Sequence, residues 1–141
     1  LNNLGNALFV QERYEEAKEY VLEALDLSRA TVGTQHSVTL LIVSNAAALQ
    51  SNTGNLDAAL KLSTEAIEIR ESLLGPYHQN TLVSMHNHAN YIRESGLIDE
   101  ARALGESVVE RAAEDLRALR NSEHLEELHR LRAATQQTPT P

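Results

Sequence analysis

Histidine and asparagine are the residues whose types and spacing could do chemistry in this sequence. His36 and His78 stand one fixed interval apart, each behind a glycine, in Val32-Gly33-Thr34-Gln35-His36 and Leu74-Gly75-Pro76-Tyr77-His78. Imidazole can ligate a metal, move a proton or accept a hydrogen bond. A histidine recurring in a loop reads first as a local hydrogen-bonding group. His86 and His88 form a second metal candidate, but two residues apart on a helix they point about 200° apart, so the pair fails on geometry. Glu126-Glu127-Leu128-His129 reads as a charged helix face. There is no Cys, so a thiolate zinc site, a cysteine nucleophile and a disulfide scaffold are excluded. No phosphate-binding glycine loop, Gly-x-Ser-x-Gly elbow or His-Glu-x-x-His is present. The expectation is no reaction, no metal and no cofactor.

The asparagines carry a different chemistry. Asn3, Asn45 and Asn87 recur at a single interval, and Asn6 and Asn90 form a second row three residues on, broken by Ala48. Asn is a mediocre helix former, about 0.6 kcal/mol worse than Ala on an exposed helix, so its repetition suggests that an amide is wanted. A primary amide offers a donor and an acceptor, which lets it pair with both polar groups of a ligand's backbone. The alternative is ordinary surface or bonding between repeats.

The interval is a repeat of the whole sequence. Shifted by 42, the chain overlays itself: Ala17, Ala59 and Ala101 coincide, as do Gly33 with Gly75, His36 with His78, Thr39-Leu40 with Thr81-Leu82, and Gly54 with Gly96. Inside each unit apolar residues follow the i, i+3, i+4, i+7 spacing of amphipathic helices, as in Tyr14, Ala17, Val21, Ala24 and Leu25. Thr53-Gly54-Asn55 and Ser95-Gly96-Leu97 separate the stripes, with Gly where a helix would end. Each unit is thus helix A, a short turn, helix B and a closing Gly–His loop. Gly5, Ala47 and Ala89 in helix A, and Ala17, Ala59 and Ala101 in helix B, are small enough to let paired backbones approach; bulk there would cost about 1–3 kcal/mol.

The residues Asn3-Leu4-Gly5-Asn6-Ala7-Leu8-Phe9, Tyr14-Glu15-Glu16-Ala17 and Glu23-Ala24-Leu25 resemble the tetratricopeptide repeat. The period of 42, with Leu-Gly-Pro-x-His-x-x-Thr-Leu at 74–82, resembles the kinesin light chain subtype, found also at the C-terminal end of many large signalling ATPases. The resemblance covers about residues 1–116. His88 and Gly105 depart from the pattern, which marks unit three as the loosest. The resemblance implies an all-α right-handed solenoid that binds a peptide or protein segment in a concave groove lined by helices A. It implies groove residues Asn3, Asn6, Asn45, Asn87, Asn90 and Arg93, because in kinesin light chains an Asn row holds an extended peptide's main chain. The other groove positions in register are Asn2, Ser44 and His86, then Phe9 and Ser51, then Val10, Asn52 and Glu94. The carboxylate clamp of some members needs Lys where Asn2 and His86 stand, which argues against an acidic peptide end. A second reading is the C-terminal sensor or oligomerisation region of a large signalling ATPase. A third is an inert spacer.

Unit one spans 1–36 and begins inside helix A, so a further repeat is expected upstream, and the bare edge at Leu4, Leu8 and Tyr14 is expected to fray or to self-associate. Units two and three span 37–78 and 79–120. Asn121-Ser122-Glu123 reads as the cap of a last helix over 121–134, with Leu125, Leu128 and Leu131 closing the core; a single helix from Ile98 to about Ala133 is the alternative. Residues 135–141, with two prolines, are expected to be disordered. The formal net charge is −8, so nucleic acid is not an expected partner. The absence of an 18-residue apolar run argues against a membrane span. The absence of Cys fits a reducing compartment such as the cytoplasm.

Overall fold

A computed structural model describes residues 13–136, with side chains from 13 to 133. Among these residues the chain forms five helices and no strand: α1 (Tyr14–Thr31), α2 (Ser37–Asn52), α3 (Leu56–Leu74), α4 (Gln79–Glu94) and α5 (Ile98–Gln136). Each packs chiefly on its neighbours in sequence, as an α-solenoid does. Helices α2 and α4 form one layer (helices A); α1, α3 and α5 form the other (helices B).

The packing follows the small-residue pattern. On α1 the buried positions are Ala17, Val21, Ala24, Leu25 and Ser28, a stripe of helical period. Helix α2 lies between α1 and α3 and is buried on two sides, through Ile42, Val43, Ala46 and Leu49 against α1 and through Ala47 against Ala59 and Tyr91. Ala17 and Ala59 are fully buried, which is why neither position tolerates bulk.

The recurring loop is a hydrogen-bonded clasp. His36 caps α2, its Nδ1 accepting from the Val38 N–H at 3.2 Å, and His78 caps α4 in the same way from the Asn80 N–H at 3.1 Å. The fully buried Thr39 and Thr81 donate to the carbonyls of Gly33 and Gly75 at 2.7 and 2.9 Å. The recurring histidines are therefore local hydrogen-bonding groups. Gly75 has φ 91° and ψ 166°, a conformation essentially reserved for glycine.

Side chains join successive units through layer B. Arg29 of α1 pairs with Glu65 of α3 at 2.7 Å, and Arg111 of α5 pairs with Glu71 of α3 at 2.6 Å. Arg70 of α3 reaches the Ser84 hydroxyl of α4 and the Leu40 carbonyl of α2.

The C-terminal expectation needs correction. No separate cap begins at Asn121; α5 runs unbroken from Ile98 to Gln136, so residues 135–136 are helical and 137–141 lie outside the described residues. Asn121-Ser122 offers a cap signal, but no Gly or Pro interrupts the chain there, and the flanking Arg, Leu, Glu and Ala are strong helix formers. A straight helix cannot fold back on itself, so Leu125, Leu128 and Leu131 do not close the core: they are 56%, 48% and 56% exposed, and Leu116 is 67% exposed. Leu4 and Leu8 of the first edge also lie outside the described residues, whereas Tyr14 is half-buried against the core.

Candidate functional site

On α2 the outward stripe is Val38, Leu41, Asn45, Ala48 and Asn52; on α4 it is Val83, Asn87, Asn90 and Glu94. These follow helical spacing, and each is exposed or half-buried. Asn45 and Asn87 occupy one register position, and both are half-buried, more enclosed than plain surface amides. Asn87 also lines a crevice of about 10 Å³ with Ser44, Ala47, Ser63, Ala66, Ser84 and Tyr91. That is room for roughly one water molecule, so the crevice is an inter-helix seam. Asn90 is half-buried, its amide 3.3 Å from His86 Nε2. Arg93 is exposed in the last turn of α4. Asn3 and Asn6 lie outside the described residues. The Ser51 hydroxyl donates to the Glu94 carboxylate, tying the far ends of α2 and α4 together.

The sequence reading missed Leu41 and Val83. They share one register position on the outward stripe, four residues before Asn45 and Asn87, and are 53% and 48% exposed. The signal was available: Leu and Val alternate with the Asn positions at the repeat period. It was masked because Leu41 stands between the buried Leu40 and Ile42, and Val83 follows the half-buried Leu82, so that both resemble core positions.

His88 stands where a repeat of this kind carries an apolar residue, and in unit two that position holds the buried Ala46. Its Nδ1 lies 2.6 Å from the Ser63 hydroxyl, which itself donates to the Leu60 carbonyl at 3.0 Å. His86 and His88 thus have different partners and diverge. Among the described residues no group of three or more His, Asp or Glu side chains could hold a metal ion. Burial lowers the His88 pKa from its ordinary 6.5. The unfolded chain then binds more protons below that value, so His88 contributes stability that is intact above about pH 6.5 and lost as pH falls through and below it. The melting temperature of the parent should therefore fall more steeply between pH 7.5 and 5 than that of His88→Gln. Parallel curves would show that the imidazole is effectively solvated.

Models of the tetratricopeptide repeat match residues 1–37 and residues 38–114. The chain belongs to the tetratricopeptide repeat family. Members of this family serve as protein–protein interaction scaffolds and are generally non-catalytic. The fold is similar to crystal structures of the nearly identical TPR-like repeats of a Podosopora anserina protein assigned as a kinesin light chain. A point variant of that protein matches with TM-score 0.75 and 23% identity over 82% of this chain, and the other structure with TM-score 0.73 and 23% identity over 79%. This chain spans about half of those proteins' chains, 55% and 53%. No curated protein matches the sequence. The matches are to the repeat itself and lend no support to the ATPase-linked reading. Among the described residues no helix is long and apolar enough to cross a membrane.

Proposed function

We propose that this tetratricopeptide repeat chain binds an extended segment of a partner protein along the outward stripe of α2 and α4. The observation that carries the reading is the coincidence of two amides, Asn45 and Asn87, with two exposed apolar side chains, Leu41 and Val83, at matching positions of successive units. Such a ladder suits a chain that offers backbone N–H and C=O groups to the amides and apolar side chains to Leu41 and Val83. Asn3 and Asn6 extend the row by register, Asn90 stands one turn along it, and Arg93 supplies a cation at its end. The net charge of −8 disfavours nucleic acid as the occupant, and the binding needs no cofactor.

The test uses peptides selected on the chain from a displayed library. Each amide-to-backbone hydrogen bond is worth about 0.5–1.5 kcal/mol net, so Asn45→Ala/Asn87→Ala should weaken a selected peptide about tenfold or more. Ala is the better helix former, so the melting temperature should change little. Arg93→Ala should matter only for acidic peptides, and less at high salt. A double variant that melts well below the parent would make the Asn row a tie between helices. Unchanged affinity together with unchanged stability would place the ligand elsewhere.

A further inference from the structure

The two layers of the solenoid differ in charge. Helix α2 has no Asp, Glu, Lys or Arg, and α4 has only Arg93 and Glu94, in its last turn. Helices α1 and α3 carry seven and six such residues, and α5 carries them from Asp99 to Arg132. Burial explains the inward half of α2 and leaves the outward half unexplained. Ser37, Val38, Leu41 and Asn52 are exposed, and a charged side chain at any of them would keep its water. The exposed positions of α1, by contrast, include Glu15, Glu16, Glu19 and Asp26. The two charges of α4 stand away from the amides. Arg93 lies six residues beyond Asn87, about 9 Å along the helix, and the neighbouring Glu94 accepts from the Ser51 hydroxyl. A charged residue laid across Leu41, Asn45, Val83 and Asn87 would lose water and find no partner.

Spacing sets the backbone of the occupant. Helices α2 and α4 touch directly, with Ala47 and Tyr91 in one buried cluster and Ser51 bonded to Glu94, so their axes stand about 10 Å apart. Leu41 and Val83, and likewise Asn45 and Asn87, are offset across the stripe by about one such step. A β-strand presents side chains on one face about 7 or 13 Å apart and matches that step with neither. A polyproline II segment repeats every third residue, about 9 Å, and has no internal hydrogen bonds, so its N–H and C=O groups stay open to the two amides.

We infer that the occupant of the outward stripe is an uncharged polyproline II segment with apolar residues at positions i and i+3, one on Leu41 and the other on Val83. The inference rests on the peptide reading proposed above. Proline fits the two intervening positions, because the amides recur with the same three-residue step and do not need the N–H groups between them.

The test is the affinity of the chain for a set of short labelled peptides in identical Gly-Ser flanks, measured by fluorescence anisotropy at about 0.05 and 0.5 M salt. The set is Leu-Pro-Pro-Leu, Leu-Gly-Gly-Leu, Leu-Pro-Leu, Leu-Asp-Asp-Leu and Leu-Lys-Lys-Leu. Leu-Pro-Pro-Leu should bind about tenfold tighter than Leu-Gly-Gly-Leu, because proline removes freedom from the unbound peptide. It should bind about tenfold tighter than Leu-Pro-Leu, in which one leucine misses its site, and than either charged peptide. Salt should change its affinity by less than about twofold, and Asn45→Ala/Asn87→Ala should weaken it with unchanged circular dichroism. A tighter Leu-Pro-Leu that the amide variant still weakens would overturn the three-residue spacing and leave the groove reading standing. A tighter charged peptide whose affinity falls with salt would overturn the uncharged class in the same way. If no member of the set binds, while peptides selected from a displayed library still lose affinity in Asn45→Ala/Asn87→Ala, the inference falls and the groove reading stands. If that variant leaves the affinity of Leu-Pro-Pro-Leu and of the selected peptides unchanged, the groove reading falls and takes the inference with it.

Discussion

Leu49→Ala should destabilise the chain by about 2–5 kcal/mol, the cost of deleting a buried leucine and leaving most of its cavity open. Leu49 is 1% exposed and is the largest of the fully enclosed side chains among the described residues. It sits in α2, between α1 and α3, in one cluster with Val21, Ile42, Val43 and Ala66. Collapse around it is hindered because both flanking helices are already held close by Ala17 and Ala59. A small domain has only about 5–15 kcal/mol in total, and a repeat array depends on each interface between neighbours, so a loss of this size in the middle unit should uncouple the units on either side. Urea unfolding should show a much lower midpoint and a broader transition. Leu27→Ala is the control: Leu27 is 57% exposed on α1, and the change should stay within about 0.5 kcal/mol. Equal losses for the two variants would mean that the α1–α2–α3 core does not hold the array together.

The period of 42 was legible because the fold repeats it in identical chemistry. Glycine positions, small alanines and the Gly–His–Thr loop each recur, and each answers a backbone requirement that few other residues meet. The end of the array was less legible. Asn121-Ser122 carries a local capping signal, and local signals cannot report whether a neighbouring surface makes a turn worthwhile; helix propensity on both sides of the site prevailed instead. The outward stripe was half legible. Its asparagines stood out because Asn is unusual in mid-helix, and their recurrence puts Asn45 and Asn87 on one register. Their half-burial was not foreseeable, since it depends on how closely α2 and α4 approach. Leu41 and Val83 were hidden by their apolar character, because an exposed Leu and a core Leu look alike until the packing is known.

The loop clasp permits a sharper test than the core. Thr39 and Thr81 are both fully buried, and both donate to the carbonyl of the glycine six residues earlier. Thr39 also accepts from the Ser28 hydroxyl of α1 at 2.7 Å. Valine keeps the shape and removes the hydroxyl, so each substitution leaves a carbonyl short of its donor, at a cost of about 1–3 kcal/mol. Thr39→Val strands a second group and should cost more than Thr81→Val by about 0.5–1.5 kcal/mol, the net value of one further hydrogen bond. The excess should vanish on the background of Ser28→Ala, because the two hydroxyls act as a pair and their effects are then not additive. The Gly75–Thr81 clasp also sets how α3 hands the chain to α4, which fixes the register of Asn45 against Asn87. Thr81→Val should therefore weaken a selected peptide at temperatures where it remains folded, although its side chain does not lie on the outward stripe. Equal and small losses for the two variants would show that the loop is held by its glycine and histidine alone, and the recurring threonine would then be explained by packing.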